Sequence, residues 1–486
     1  MRQYILSLLG LFLYFISQAQ GVSDAVRWSF FSPGGTARVL GVGSSFGAMG
    51  GDFSVININP AGLGAYRKSE FTFSPSLSNN RTSSFLVDDA NTLTKDRYNS
   101  FSIDNISLVL AGKNGFGFAI GFSKLADLNK NFSFSGTTRG SITQRFAERA
   151  NGRDVNGLDD FEAYPAYAVG AIYDLNEDKN YETDFDRFES VKKEQEVDQE
   201  GYIHELSLGW GGTFSEKFLL GFSMGIPFVS YQELKQYKES DPTNSNPVFT
   251  ELNYTEYLNT SGAGINFKAG FIYAPIRQIR IGGAFHSPTW FTLNDDYYTN
   301  LNYSYDDGES QYYSNRSPDG SFKYKLSTPA RVVGSLGTIY KIGPIQGFLN
   351  GDVEWVDYNN NRFDFTSYSD DPAEGQSTID VNDEVERLLG SVINVRVGTE
   401  LAIGVLRLRA GIEKGDSPLA ADTKKVTTQS FGVGIREDRF FIDLGVRTRR
   451  FDEGYVPFVL VDPNDESLVN NQVKHTRIVV TAGFKF

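Results

Sequence analysis

The 486-residue chain has no cysteine, three histidines, three methionines and no excess of positive charge. Without cysteine there is no disulfide, no thiolate metal site and no lipid-modified cysteine behind the N-terminal leader. His204, His286 and His475 lie far apart with no partner spacing, so neither a histidine metal site nor a catalytic triad is expected, and no catalytic residue or cofactor is assigned. With 46 Lys plus Arg against 60 Asp plus Glu, the net charge is −14, which argues against a nucleic-acid partner. After residue 16 there is no apolar run of ~18 residues, so membrane-spanning helices are excluded. Two motif fragments fail as well. Gly41-Val-Gly43 lacks the last glycine of a dinucleotide fingerprint. Asp174-Leu-Asn176-Glu-Asp178 has Lys179 where a calcium loop needs glycine and Phe185 where it needs its closing glutamate.

What is present points elsewhere. Arg2, the apolar Ile5–Ile16 and the small residues around Ala19 make residues 1–19 a secretory leader. Aromatics are 14% of the chain, 49 residues are glycine, and mean hydropathy is −0.31. A transmembrane β-barrel has this polar average, because alternate residues alone face lipid. Strands are expected at 66–77, 101–111, 115–125, 202–214, 218–231, 262–274, 279–291, 330–340, 345–355, 393–401, 405–412, 429–435, 440–448 and 475–486. Tight turns alternate with long connections, the asymmetry of periplasmic turns and extracellular loops. The count is about fourteen, and an even number returns the chain to its starting side. Tyr164–Tyr173 would make it odd, and Phe161, Tyr164, Ala168 and Ala171-Ile172 are spaced as a helix face. Residues 126–200 therefore read as one large extracellular loop with short helices, including Ser141–Ala150. The acidic stretches 174–200, 306–309 and 370–386 read as solvated loops.

Within each strand the alternation assigns faces. Ile393, Val395, Val397 and Leu401 oppose Asn394, Arg396 and Glu400. Leu406, Leu408 and Ile412 oppose Arg407 and Arg409. Phe440, Ile442, Leu444 and Val446 oppose Asp443 and Arg447. Ile478, Val480, Phe484 and Phe486 oppose His475, Arg477 and Lys485. Arginine on the lipid face at mid-bilayer costs about 2–4 kcal/mol, so the charged faces are assigned to the lumen. The lumenal charges are Arg331, Asp352, Glu354, Arg396, Glu400, Arg407, Arg409, Asp443, Arg447 and Arg477. They either pin a lumenal segment to the wall or, for one or two arginines, meet a ligand carboxylate.

One stretch fits neither strand nor helix. Residues 34–64 are rich in glycine yet apolar, which suits a backbone shielded inside something else. Gly34-Gly35-Thr36-Ala37-Arg38, Gly41-Val42-Gly43, Phe46-Gly47-Ala48, Gly50-Gly51-Asp52 and Asn59-Pro60-Ala61-Gly62-Leu63 resemble the FadL/TodX family of outer-membrane transporters for hydrophobic compounds; the last group looks like its Asn-Pro-Ala hatch motif. The resemblance implies an all-β, fourteen-stranded antiparallel transmembrane barrel (65–486) in a Gram-negative outer membrane, plugged by an N-terminal hatch (20–64). It also implies passive uptake of hydrophobic molecules or lipids such as long-chain fatty acids, with no enzyme activity. Some members of that family serve instead as accessory subunits in secretion, so a non-conducting barrel that holds outer-membrane protein partners is the alternative. The expected hatch residues are Gly50, Gly51, Asp52, Asn59, Pro60 and Ala61. Candidate ligand contacts are Phe30 and Phe31 beside the glycines, and Phe146, Phe161, Tyr164 and Tyr167 in an extracellular capture groove.

Overall fold

Backbone N–H and C=O groups in hydrocarbon have no water to bond, so a sheet that spans a membrane must close on itself. In a computed structural model of the chain this closure is complete. The structure describes residues 21–31, 34–112, 115–185, 189–243, 246–306, 308–369, 371–422 and 424–486; the expected leader at 1–19 lies outside the described residues. The strands are β1 (Glu70–Leu86), β2 (Asp89–Ala111), β3 (Phe116–Asp127), β4 (Lys130–Arg139), β5 (Ser190–Ser215), β6 (Phe218–Ser240), β7 (Phe249–Ile276), β8 (Ile279–His286), β9 (Trp290–Asp306), β10 (Ser310–Arg316), β11 (Gly320–Ser327), β12 (Arg331–Ile342), β13 (Ile345–Asp357), β14 (Arg362–Asp364), β15 (Ser391–Ile403), β16 (Leu406–Gly415), β17 (Val426–Arg436), β18 (Phe440–Tyr455) and β19 (Val469–Lys485). Fourteen of them form one antiparallel circuit, β1–β2–β3–β5–β6–β7–β8–β12–β13–β15–β16–β17–β18–β19, which closes back on β1. The count and its even parity agree with the sequence reading. At the tight-turn end Phe486 N–H donates to Ser69 O at 3.0 Å, tying the last residue to the first strand.

The faces follow the alternation. Ile393, Val395, Val397, Leu406, Leu408, Phe440, Ile442, Ile478, Val480 and Phe484 are exposed on the outside, whereas Arg396, Arg409, Asp443, Arg447 and Arg477 are buried. This outer band of apolar side chains on a closed barrel places the protein in an outer membrane.

The extracellular end departs from the loops expected there. β1 and β2 continue as a hairpin to Leu86 and Asp89, and β5, β6 and β7 also run far past the apolar band. The reading of 126–200 as one loop is corrected: β4 and the first part of β5 pair through it, from Lys130↔Gln199 to Arg139↔Ser190. The helices there do form, as α3 (Ile142–Ala150) and α4 (Ala163–Ala168), counting after α1 (Val22–Ser29) and α2 (Ala37–Gly41). The expected solvated loop at 370–386 is instead α5 (Pro372–Leu388), which buries Val381 and Val385 on one side and carries its acids on the other. The strand expected at 279–291 breaks in two at Pro288, which has no N–H for the ladder. Above the break β9 resumes the pairing along β7, Ile265↔Trp290 following Lys268↔His286, with β11 in place of β12 on its other side.

Residues 34–66 run inside the barrel, and glycine on the wall makes room for them. A Cβ at Gly411 would sit 2.2 Å from the carbonyl carbon of Val42, and one at Gly221 2.2 Å from that of Pro60. Both contacts are with backbone, which cannot rotate away. We therefore expect Gly411→Val or Gly221→Val to force the segment off the wall, at a cost of several kcal/mol. The check is heat-modifiable electrophoretic mobility, in which each variant should convert to the unfolded form at a markedly lower temperature than wild type.

Candidate functional site

The lumen is built from charges that the alternation forces inward, and each needs a partner where water is scarce. Arg38, in α2, reaches the wall and donates from Nε and Nη2 to the two oxygens of Glu400 at 2.9 and 2.8 Å. Arg409 donates to Glu400 at 2.6 Å and to Asp443 at 2.7 Å, and Arg436 pairs with Asp443. A second group joins Arg396 to Glu354 at 2.8 Å and to Glu413 at 3.1 Å, with Arg447 on the far side of Glu413. The N-terminal segment thus supplies one cation to a network that crosses β15–β18.

Hydrogen bonds outside ion pairs fasten the rest of the segment. Asp352 accepts from the backbone N–H of Phe46 at 2.9 Å and of Gly47 at 3.3 Å. Asn59 Nδ2 donates to Gly47 O at 2.7 Å and to Phe271 O at 3.0 Å, bridging segment and wall. Asn57 Nδ2 donates to Ser123 Oγ at 2.9 Å, and His286 Nε2 lies 3.0 Å from Ile58 O. Asp52 is turned inward on the segment itself: it accepts from Thr36 Oγ1 at 2.8 Å and caps the 3-10 turn Phe53–Asn57 through Ser54 N–H.

Above the segment the lumen is sealed by packing. α1 places Trp28 edge-on to Tyr231 at 5.5 Å, within an apolar cluster shared with Val381 and Val385 of α5. Two small cavities flank Phe31. One, of about 20 Å³, is lined by Phe30, Arg396, Glu413, Arg447 and Arg449; the other, of about 40 Å³, by Leu125, Asn57, Glu205, Asn266, Lys268, His286 and Arg331. Each has room for a few waters, and Arg447 Nη1 and Asn266 Oδ1, on their walls, bond to nothing in the protein. Neither is the apolar tunnel that a hydrocarbon needs in order to pass.

Between β2 and β3 the wall has a seam. β2 and β3 pair only from Asn105↔Ser123 to Ala111↔Gly117. Farther up, β3 bulges at Leu125 and follows β5 alone to Asp127↔Tyr202, while β2 follows β1. Side chains bridge the gap that the missing ladder leaves. Fully buried Lys124 on β3 contacts Asp104 at 3.2 Å, Asp127 at 3.0 Å and Ser102 at 2.7 Å. Arg477 pairs with Asp104, Ser76 donates to Asp104 at 2.6 Å, and Ser78 donates to Asp127 at 2.7 Å. Gly34 packs against this point, where a Cβ would meet Lys124 O at 2.3 Å. The seam, the start of the N-terminal segment and the larger cavity therefore meet at Leu125 and Phe31.

The whole barrel superposes on solved structures that share one architecture. A Pseudomonas aeruginosa FadL homologue superposes with a TM-score of 0.57 at 10% identity, over 94% of this chain and 100% of that one. The P. putida toluene transporter TodX gives 0.54 at 12% identity, over 93% and 99%. The Ralstonia pickettii toluene transporter TbuX gives 0.51 at 12% identity, over 93% and 99%. This chain has the FadL-type fold. No protein-family model and no curated protein matches it by sequence.

Within this FadL-type barrel the candidate ligand residues are dispersed. Phe146 is completely buried on the inner face of α3, edge-on to Tyr254 at 5.3 Å. Phe161 rests on Tyr297 at 4.9 Å, and Tyr164 and Tyr167 are 42% and 36% exposed. Phe30 and Phe31 sit lower, at the cavities, each beneath a guanidinium: Arg449 at 4.4 Å and Arg331 at 4.8 Å. Of the hatch residues, Asn59, Pro60 and Ala61 touch the wall, Gly50 packs on Gly62 within the segment, and Gly51 takes a left-handed φ of 73°. Arg407 stands apart from the lumenal network, donating to Gly404 O and Leu406 O at its own turn. The seam residues Lys124, Asp104 and Asp127 were not singled out from the sequence; a lysine inside an otherwise apolar strand was the signal available.

Glu400 is the joint between segment and wall, since removing its charge leaves Arg38 without a carboxylate and Arg409 with Asp443 alone. Glu400→Gln should destabilise this contact by about 3–5 kcal/mol. We expect the variant to show frequent current openings in planar bilayers where wild type stays closed; unchanged silence would mean that the segment is held without this pair.

Proposed function

We propose that this FadL-type barrel carries small hydrophobic molecules, with long-chain fatty acids as one such class, passively across the outer membrane, and that they leave through the wall at the seam between β2 and β3. The observation that carries this reading is the seam itself. A wall closed by backbone bonds can open only by breaking a ladder, whereas this stretch is closed by side chains that can turn. The described conformation is the closed one. Its polar cavities exclude an acyl chain, and passage requires Phe31 and Gly34 to move off Leu125 and Lys124. Transfer of the solute from water into the barrel and then the bilayer yields about 0.8 kcal/mol per CH₂, so no fuel is required. Residues 20–64 act in this scheme as the plug, and Phe30 and Phe31 are its moving edge.

The alternative, a sealed barrel that serves as a subunit of a larger outer-membrane complex, draws on the density of ion pairs in the lumen. One experiment separates the two. The natural chain has no cysteine, and Asn57 Nδ2 and Ser123 Oγ lie 2.9 Å apart across the boundary between plug and β3. The double variant Asn57→Cys/Ser123→Cys should form a disulfide that stops uptake of labelled oleate or toluene by intact cells, and a reductant should restore it. Uptake that is the same with and without the barrel, together with stoichiometric recovery of other outer-membrane proteins on mild extraction, would establish the accessory role instead.

A further inference from the structure

On the outside of the barrel, four adjacent strands carry a row of bases that the protein leaves unneutralised. The register sets Arg450 of β18 opposite Lys474 of β19, Lys474 opposite Arg81 of β1, and Arg81 opposite Arg97 of β2. Two strands beyond, Lys414 of β16 faces Thr427 of β17, which faces Arg450, so a fifth base extends the same line. All five have the strand parity of the lipid-facing residues. Among the described residues none of them pairs with a carboxylate; Arg81 Nε donates to Asn79 Oδ1 at 3.0 Å. The outward acid next to them is Asp452, one step farther from the membrane, with Lys424 at 3.9 Å. Lys95 stands at that same level on β2, opposite Ser83. Bases directly opposed on neighbouring strands repel one another, and they do so here on a chain whose net charge is −14.

The height of the row says what it faces. Below it on the same strands lie Asn79, Asn99, Thr476 and Thr448, and below those Leu77, Phe101, Ile478 and Val446, in matching register. Four residues span about 13 Å along a strand, or about 10 Å along the membrane normal at a tilt of ~40°. That distance above the apolar band is the headgroup layer of the outer leaflet. The segregation is sharp, because the outward side of β5 above the band carries Glu194, Glu196, Asp198 and Glu200.

We propose that Arg450, Lys474, Arg81 and Arg97, flanked by Lys414, bind the phosphate groups of an anionic lipid in the outer leaflet. Guanidinium groups grip phosphate oxygens in pairs, and three strand spacings make the row about 14 Å wide, enough for a headgroup with two phosphates. The acyl chains of such a lipid would lie over exposed Leu77, Phe101 and Ile478. The site is independent of what the barrel carries.

The test is native mass spectrometry of the full-length barrel in detergent micelles doped with lipid A, which bears two phosphates, or with the same lipid dephosphorylated. Wild type should retain the diphosphorylated lipid about tenfold more than the dephosphorylated one. Arg81→Gln/Arg97→Gln/Lys474→Gln/Arg450→Gln should lower retention to the dephosphorylated level, whereas Lys323→Gln/Lys325→Gln on β11 should leave it unchanged. Millimolar inorganic phosphate should not compete. Heat-modifiable mobility reports whether each variant is folded; if the quadruple variant is not, Arg81→Gln/Arg97→Gln alone should lose about fivefold. Equal retention by a folded variant, equal retention of the dephosphorylated lipid, or displacement by inorganic phosphate would each overturn the proposal.

Discussion

The structure depends on one constraint: backbone polar groups placed in hydrocarbon must be bonded within the protein. Closure of fourteen strands meets it, and Ser69 and Phe486 complete the closure at the tight-turn end. Closure then creates a second problem inside. Once the lipid face takes the apolar residues, the opposite face of the same strands holds Arg396, Arg409, Asp443, Arg447 and Arg477 in a space that admits little water. Wall carboxylates satisfy most of them. Glu400 sits between two arginines, of which Arg38 comes from the N-terminal segment, so the segment belongs to the charge balance of the lumen as well as to its packing.

The seam is the place where that constraint is met differently. β3 bulges at Leu125 and leaves β2, and the missing backbone bonds are replaced by a buried cluster of Lys124, Asp104, Asp127 and Arg477 with the hydroxyls of Ser76, Ser78 and Ser102. Such a patch tolerates rearrangement better than a ladder does, because each side chain has rotamers and the backbone does not. It also lies beside Gly34 and Phe31, where the segment begins. A closed lumen and a transport role are compatible if the closed state is one of two, with the switch at this junction.

The outside of the barrel follows a simpler rule. Hydrocarbon accepts no charge, so the outward positions are apolar for as long as the strand is in the core, polar and neutral at its edge, and charged beyond it. Arg81, Arg97, Lys474 and Arg450 occupy the third of these levels together because the register aligns them, although the first two lie hundreds of residues from the last two in the chain.

Much of the fold was legible in the sequence, since alternation with period two and the spacing of tight turns are local. They gave the fourteen strands, the lumenal side of Arg396 and Arg409, and the helices at 142–150 and 163–168. Local pattern failed where pairing was long-range. The large loop expected at 126–200 is flanked by a strand pair, 130–139 with 190–199, and the acidic stretch at 370–386 is a helix, because each finds a neighbour from a distant part of the chain to cover one face. The candidate groove residues show the same limit: helical spacing put Phe146 and Tyr164 on one list, and packing buried the first and exposed the second. By itself the sequence determined which face of each strand meets lipid, for that depends only on the next residue but one. The tertiary structure alone decided which acid answers which arginine, where the wall lacks a ladder, and which bases line up outside, because those follow from register between strands, which no single strand contains.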